Sequence, residues 1–296
     1  MREVLESKSG RKIQVGGERV TQEGKRAKAA ALRQERILEL VQREGFVSTE
    51  NLARNFVVTP QTIRRDIKEL SDEGKVRRYH GGAGLPSSIE NVSYTTRKTL
   101  ALPGKIRIAR MLAEHIPDEA SLFLDIGTTS EEIAKALLGR EKLRIITNNL
   151  NVAVILSENE NFDVIVTGGA VRGRDRGLTG EATIDFIRQF KIDYGIISVS
   201  GIDGDGTLLD FDYHEIRVGQ AVIENSRKVF LVADHSKFHR EAMVRLCNIR
   251  EMDALFTDEN PSEKIRQMLS AADVQLHVAA ESTPLKTQSS RTKRHQ

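Results

Sequence analysis

The stretch from Ser48 to Ile67 constrains this chain more than any other, because it sets two helix-start signals eleven residues apart. Ser48 is a residue type that caps the free N–H groups of a first helical turn, and Leu52 and Phe56 then fall four apart on one apolar face. After Val57-Val58, Thr59 offers a second cap, and Pro60 takes the first helical position, where a missing N–H costs nothing. In the helix that follows, Ile63, Ile67 and Leu70 stand at i, i+4 and i+7 and turn inward, leaving Gln61, Thr62, Arg64, Arg65 and Lys68 toward solvent. Two short helices joined by a tight turn, the second edged with arginines, is the layout of a helix-turn-helix that enters a DNA major groove. Arginine pairs bidentately with guanine edges or clamps phosphates, while Gln and Thr serve adenine edges, thymine methyls or backbone oxygens. Residue type alone leaves open which side chain takes which role. Thr49 and Thr59, at the two helix starts, complete the candidate DNA contacts of this stretch.

The flanks strengthen that reading. Upstream, Ile37, Leu40 and Val41 fall at i, i+3 and i+4, the mark of a third amphipathic helix, ending at Gly45. Downstream, the run Gly74 to Ala83 reads as a short basic strand running into a glycine turn, the composition of a wing, with Arg77, Arg78 and His80 available to phosphate or the minor groove. A winged helix-turn-helix is therefore expected over residues 31–84. Charge agrees once the chain is divided. The net charge is only +3, yet residues 1–80 hold 18 Lys and Arg against 12 Asp and Glu, whereas residues 81–280 hold 23 against 29. A basic head on an acidic body suits a phosphate-binding module carried by a separate core.

At 296 residues and 39% hydrophobic, the chain has length for one small and one larger domain. Its N-terminus is polar, and no window approaches the roughly 18 apolar residues of a membrane span, so a cytoplasmic protein without a membrane partner is expected. The single cysteine, Cys247, excludes an internal disulfide and is expected to be a reduced, partly buried residue; no metal and no cofactor are expected. Residues 1–30 and 281–296 lack an apolar period and read as a disordered extension and a disordered basic tail. Residues 85–104, with Pro86, Ser87, Ser88, Pro103 and Gly104, read as a linker.

Over residues 105–280 short apolar runs alternate with helical periods. Buried strands are expected at Ser121–Ile126, Leu143–Thr147, Phe162–Val166, Tyr194–Val199, Val229–Ala233 and Ala254–Thr257. Such alternation implies a mostly parallel sheet flanked by helices, an α/β body. Ligands of such sheets bind beyond the C-terminal strand ends. Those ends carry Asp125, Gly127, Thr128 and Thr129, then Thr147 and Asn148, then Gly168 and Gly169, then Gly201 and Asp203, and last Lys237. Small residues, hydroxyls and amides with one lysine suit a small phosphorylated or polyhydroxylated ligand, the Gly-Thr-Thr-Ser turn at a helix start being a cradle for a phosphate. The nearby acids Asp125, Asp203, Asp205, Asp210, Asp212 and Glu215, with His214, leave open an alternative, a sugar-phosphate isomerase-like enzyme fused to a DNA-binding head. Asp203-Gly204-Asp205-Gly206 also reads simply as a turn whose carboxylates bond their own backbone.

The ordered series Thr59 to Asp66, His80 to Ala83, Asp125 to Thr129, Thr147 to Asn149, Gly168-Gly169, Gly201 to Asp203 and Asp234 to Phe238 resembles the DeoR family of bacterial transcriptional regulators over roughly residues 32–280. Gly81 to Ser88, Thr147 to Ala153, Gly180 to Thr183 and Phe211 to Glu215 are similar to the branch of that family that governs glycerol 3-phosphate genes. The resemblance implies a winged head and a sensor body similar to ribose-5-phosphate isomerase, used without catalysis. It implies that Asp125, Gly127, Thr128, Thr129, Thr147, Asn148, Gly168, Gly201 and Lys237 belong to the inducer site. It further implies a dimer or tetramer on double-stranded operator DNA, repression of sugar or polyol catabolic genes, and release by a phosphorylated metabolite, with glycerol 3-phosphate preferred.

Overall fold

The computed structural model describes residues 22–279 apart from 45, 74, 80, 85–90 and 92, and describes only the backbone of 22–28 and 42–44. The expectations for His80, Gly45, Gly74, Pro86 to Ser88, residues 1–21 and the 281–296 tail therefore lie outside the described residues.

The head begins with α1 (Gln22–Glu44), then β1 (Phe46–Ser48), α2 (Thr49–Phe56), α3 (Pro60–Asp72), β2 (Arg77–Tyr79) and β3 (Gly82–Gly84). Helix α1 starts at Gln22, inside the segment expected to lack order, which corrects that boundary for residues 22–30. Both caps form as their residue types dictate: Ser48 Oγ accepts from Asn51 N–H at 3.1 Å and Thr59 Oγ1 from Thr62 N–H at 3.2 Å. Ile37, Val41, Leu52, Ile63, Ile67 and Leu70 close one small core. A tie the hydrophobic pattern does not show joins α1 to α3: Arg33 grips buried Asp66 through both carboxylate oxygens, at 2.5 and 3.0 Å. The wing is a tight hairpin, β3 lying antiparallel between β1 and β2. Gly81 takes a positive φ of 88° at its turn, a conformation that glycine adopts without penalty.

The body follows with α4 (Tyr94–Thr99), α5 (Leu102–Glu114), β4 (Ser121–Leu124), α6 (Thr128–Leu137), β5 (Arg144–Thr147), α7 (Leu150–Leu156) and β6 (Asp163–Val166). The hairpin β7 (Ala170–Arg172) and β8 (Gly177–Thr179) leads to α8 (Glu181–Ile187), β9 (Ile192–Ser198), β10 (Gly201–Ile202), β11 (Thr207–Asp210) and α9 (Tyr213–Asn225). Last come β12 (Ser226–Val232), β13 (Val244–Asn248), β14 (Ala254–Thr257), α10 (Glu263–Ala271) and β15 (Gln275–Val278). Helices α4 and the start of α5 occupy the second half of the expected linker, which is thus built structure from Tyr94 onward.

The expected parallel sheet is present, with strand order β15-β14-β12-β9-β4-β5-β6. Successive connections run outward from β4 in one direction and from β9 in the other, so the order reverses between these two central strands. Helices on both faces bury Leu122, Phe123, Leu124, Ile196, Ile197 and Leu231 completely. Two short antiparallel units that the alternation does not announce, β7-β8 and β10-β11-β13, stand at the rim. Cys247 is free and half-buried on β13, and burial pushes its thiol up to about 12.

Val57 ends α2 in the left-handed region (φ 53°, ψ 46°) with its side chain 90% exposed. A β-branched residue is strained there and gains no burial in return. Val57→Asn is therefore expected to stabilise the head by about 1 kcal/mol, read as a higher urea midpoint for loss of head helicity; an unchanged or lower midpoint refutes the assigned strain.

Candidate functional site

On α3, Gln61, Arg64, Arg65 and Lys68 are exposed and Thr62 partly so, as the period of the helix requires. Arg64 approaches Gln61 at 3.5 Å and Arg65 reaches Glu69 at 3.1 Å, both at the surface, where such contacts yield readily to a stronger partner. Arg78 of the wing is exposed as well, and with Arg64, Thr49 and Gly81 it borders a shallow cleft of about 440 Å³. Two candidates stand differently. Thr49 is buried at the first position of α2, its N–H donating to Gly81 O, so it joins the wing to the helix rather than facing a groove. Arg77 turns away from the DNA face: its guanidinium donates to His239 O and pairs with Glu241 at 3.1 Å, both on the body.

In the body, the reversal of strand order opens a crevice beyond the C-terminal ends of β4 and β9, the place where parallel sheets take ligands. Gly127 leads α6, whose N-terminus no side chain caps, so its free N–H groups face this crevice at the positive end of the helix dipole. Ser130 Oγ, fully buried on that first turn, has no partner among the described residues. Thr128 Oγ1 receives Lys105 Nζ at 3.0 Å, and Lys105 also bonds Arg97 O. Lys105 is only 2% exposed, and burial lowers its pKa. Lys237 follows the Asp234 turn after β12. Burial, with Arg240, Lys105 and Arg97 nearby, takes its pKa down to about 7 against the pull of Asp234. Asp234 Oδ2, Arg97 Nε and Arg240 Nε are likewise buried without partners. Four cations, Arg97, Lys105, Lys237 and Arg240, thus converge around Asp234.

The opposite wall is acidic. A cavity of about 200 Å³ is lined by Tyr94 and Arg97 on one side and by Arg174, Asp210, Phe211 and Glu215 on the other. Burial raises Asp125 to about 7, and burial together with Asp210 raises Glu215 against the pull of Arg172. Arg172 holds this side together, bonding Asp175 and Asp212 at 2.8 Å and pairing with Glu215. Helix α4 is fastened across the site by Arg97 to Asp175 at 3.2 Å and by Tyr94 OH to Glu131 at 2.7 Å.

The other strand-end candidates divide by what their atoms already do. Thr147 Oγ1 donates to Leu124 O and accepts from Asn149 N–H, so it holds β5 to β4 and has no further donor for a ligand. Asn148 donates to Leu178 O while its Oδ1 stays buried and unpartnered. Thr129 is buried in the first turn of α6. Gly201 is required by close approach, since a Cβ there lies 2.1 Å from Arg240 O. Gly168 and Gly169 form an exposed turn, Gly168 O accepting from Thr183 Oγ1. Asp203 is exposed and bonds Gly204 N–H, and Asp205 bonds Thr207 N–H, so this stretch is the self-bonded turn and Asp203 leaves the site. Arg97, Lys105 and Arg240 were not among the expected residues. Lys105 had a signal: it stands at i, with Ile108, Ala109 and Leu112 at i+3, i+4 and i+7, a lysine on the apolar face of α5. Arg97 and Arg240 have no local signal. One grouping with metal-ligand spacing occurs among the described residues, His235, Asp258 and Glu259, but Asp258 is occupied by His235 at 2.6 Å and Arg107 at 3.6 Å.

Comparison with known proteins sorts the chain into the same two parts. Residues 33–89 match the model of the DeoR-like helix-turn-helix domain, and residues 101–259 match that of the DeoR C-terminal sensor domain. The chain belongs to the DeoR family. It is 53% identical to the glycerol-3-phosphate regulon repressor of Escherichia coli over 242 residues, 82% of this chain and 96% of that protein. The repressor of the same description from Haemophilus influenzae is 52% identical over 231 residues, 78% and 90% of the two chains. The transcriptional repressor CsqR of E. coli is 39% identical over 244 residues, 82% and 94%. Among solved structures, ribose 5-phosphate isomerase A from Neisseria gonorrhoeae superposes with a TM-score of 0.35 at 16% identity, over 49% of this chain and 55% of that one.

This DeoR-family protein is a DNA-binding transcriptional regulator and not an enzyme. No helix among its described residues is long and apolar enough to cross a membrane. Half-buried Lys237, set beside Arg240, Lys105 and Arg97, carries a desolvation cost that Asp234 offsets only in part. Lys237→Met is accordingly expected to raise the melting temperature of the ligand-free protein by about 2–4 °C per kcal/mol of desolvation relieved, and a fall in differential scanning calorimetry refutes that cost.

Proposed function

We propose that this protein is a cytoplasmic bacterial repressor of glycerol-3-phosphate or related sugar and polyol catabolic genes, released from operator DNA by a phosphorylated metabolite. The observation that carries the effector is the gathering of Lys105, Lys237 and Arg97 at the strand-order reversal, beside the uncapped N-terminus of α6. A phosphate supplies the charge those groups lack. The carboxylates of Asp210 and Glu215 on the facing wall accept from hydroxyl donors, so the cavity suits a molecule that is anionic at one end and a polyol at the other. At about 200 Å³ it is smaller than the roughly 300–1,000 Å³ of drug-sized sites. Glycerol 3-phosphate has that size and polarity, and the repressors that are 53% and 52% identical to this chain are named for the glycerol-3-phosphate regulon.

Residues 31–84 serve as the DNA head, with Thr59, Gln61, Thr62, Arg64, Arg65, Lys68 and Arg78 as its contacts, and residues 105–280 as the sensor. Thr128, Thr129, Asn148 and Lys237, joined by Arg97 and Lys105, make the effector site; Gly127 and Gly201 allow its close approaches. Two or four copies bring pairs of heads to the half-sites of a palindromic operator. Effector and operator then oppose each other through one coupling free energy, each weakening the other by the same factor.

Titrating the protein on operator DNA tests this. Saturating glycerol 3-phosphate is expected to weaken operator binding by about 5–150-fold, while glycerol and inorganic phosphate do so far less. Affinity that is unchanged at every glycerol 3-phosphate concentration defeats the sensing claim. The pH dependence has a definite sign. Lys237 loses its proton above about 7 in the empty site, and a bound phosphate restores it, so effector binding at pH 8 takes up protons. Effector affinity is expected to fall by up to about tenfold per pH unit above 7. Calorimetry in buffers of different ionisation enthalpy reads the uptake, and zero uptake at pH 8 removes Lys237 from the phosphate seat.

A further inference from the structure

The segment that carries Lys237 does not end at the sensor. Three residues on, Arg240 is 3% exposed and lies between two aromatic rings from different parts of the molecule. Its guanidinium carbon is 5.5 Å from the ring centroid of Tyr79, on the wing, and 5.1 Å from that of Phe211, on the cavity wall. Its Nη2 donates to Asn91 Oδ1 at 2.6 Å, and Asn91, another cavity-wall residue, donates to Ser200 Oγ at 3.1 Å just beyond β9. The wing meets the same segment a second time, through Arg77 with His239 O and Glu241. The backbone between Lys237 and Glu241 is held in place: His239 has a positive φ of 58° and donates to Ile202 O at 2.8 Å, while Gly201 leaves room for Arg240 O.

Arg240 therefore touches, with one guanidinium, the wing at Tyr79 and two wall residues of the cavity, Asn91 and Phe211. Among the buried cations of the described residues it is the one with a partner in the head, and it stands close enough to the others to oppose the charge of Lys237. Arg240 already lies within the field of the Asp210 carboxylate on the cavity wall; a dianion in the cavity adds a second, doubly charged partner on that side, and a guanidinium facing that anion no longer lies over Tyr79.

We propose that Arg240 couples the effector site to the DNA head: with the cavity empty it docks the wing on the sensor through Tyr79, and an anion in the cavity draws it away and undocks the wing. This rests on the sensing function above and adds the element that carries it. Docking withholds Arg77 from DNA and holds the head in one arrangement relative to the body, which is the arrangement that suits a fixed spacing of operator half-sites. Undocking releases the head from that arrangement.

The test uses two full-length variants outside the cavity, Tyr79→Leu and Glu241→Gln. For Tyr79→Leu, operator affinity without effector is expected to drop to the level of the wild type saturated with glycerol 3-phosphate, so that the ratio of operator Kd with and without effector falls toward 1. Its effector Kd, by calorimetry, is expected to stay within threefold of wild type. Glu241→Gln removes only an exposed partner of Arg77, leaves folding intact and is expected to lower the ratio part of the way. Variants that keep the full wild-type ratio overturn the coupling role, as does a Glu241→Gln ratio unchanged in the event that Tyr79→Leu does not fold. A wild type with no response to glycerol 3-phosphate is a different result, which removes the sensing function and the coupling with it.

Discussion

Cations and carboxylates kept together away from water at the C-terminal ends of one sheet are the condition around which this protein is arranged. Lys105 and Lys237 are anchored at the ends of a buried parallel sheet, where burial alone favours their neutral forms. Elsewhere the same chain pairs its buried charges with care: Asp66 takes both arms of Arg33, and Arg172 answers Asp175, Asp212 and Glu215. Around the strand ends, by contrast, Arg97, Asp234 and Arg240 each keep one buried atom without a hydrogen-bond partner.

The topology explains why that cavity is where it is. A sheet that grows outward in both directions from two central strands must part its connecting loops between them, and the loops that part are those after β4 and β9. The segment after β12 borders the same opening and brings Lys237 to it. Helix α4, reaching the site from the head side, supplies Arg97 and one wall. A single small volume is thus bounded by the chain that arrives from the head and by the end of β11 and start of α9, and the arginine under the wing packs on its wall through Asn91 and Phe211. Signal and response are separated by the width of a side chain rather than by a long path.

Much of the head was legible in sequence because its rules are local. Caps at Ser48 and Thr59, a proline at the first helical position and a 3.6-residue apolar period need no partner to be recognised, and the same holds for the alternating apolar runs of the body. Site residues were less legible in proportion to how much their role depends on distant neighbours. Thr147 has the right chemistry for a ligand and spends it on Leu124 and Asn149; Asp203 stands after the right strand and turns outward. Arg77 is basic and on the wing, yet Glu241, distant in sequence, claims it.

By itself the sequence determined the two-part construction, the winged head, the parallel α/β body and the strand ends that carry hydroxyls, amides and Lys237, since these follow from periodicity, capping and the fixed direction of parallel strands. Tertiary structure alone decided that Lys105, Arg97 and Lys237 lie close to one another, that α4 walls the cavity beside them, and that Arg240 lies between Phe211 and Tyr79. The physical reason is that charge and stacking act over a few ångströms of space, whereas these residues lie up to 143 positions apart in the chain, between Arg97 and Arg240. No local pattern encodes such a meeting; only the packed sheet brings it about.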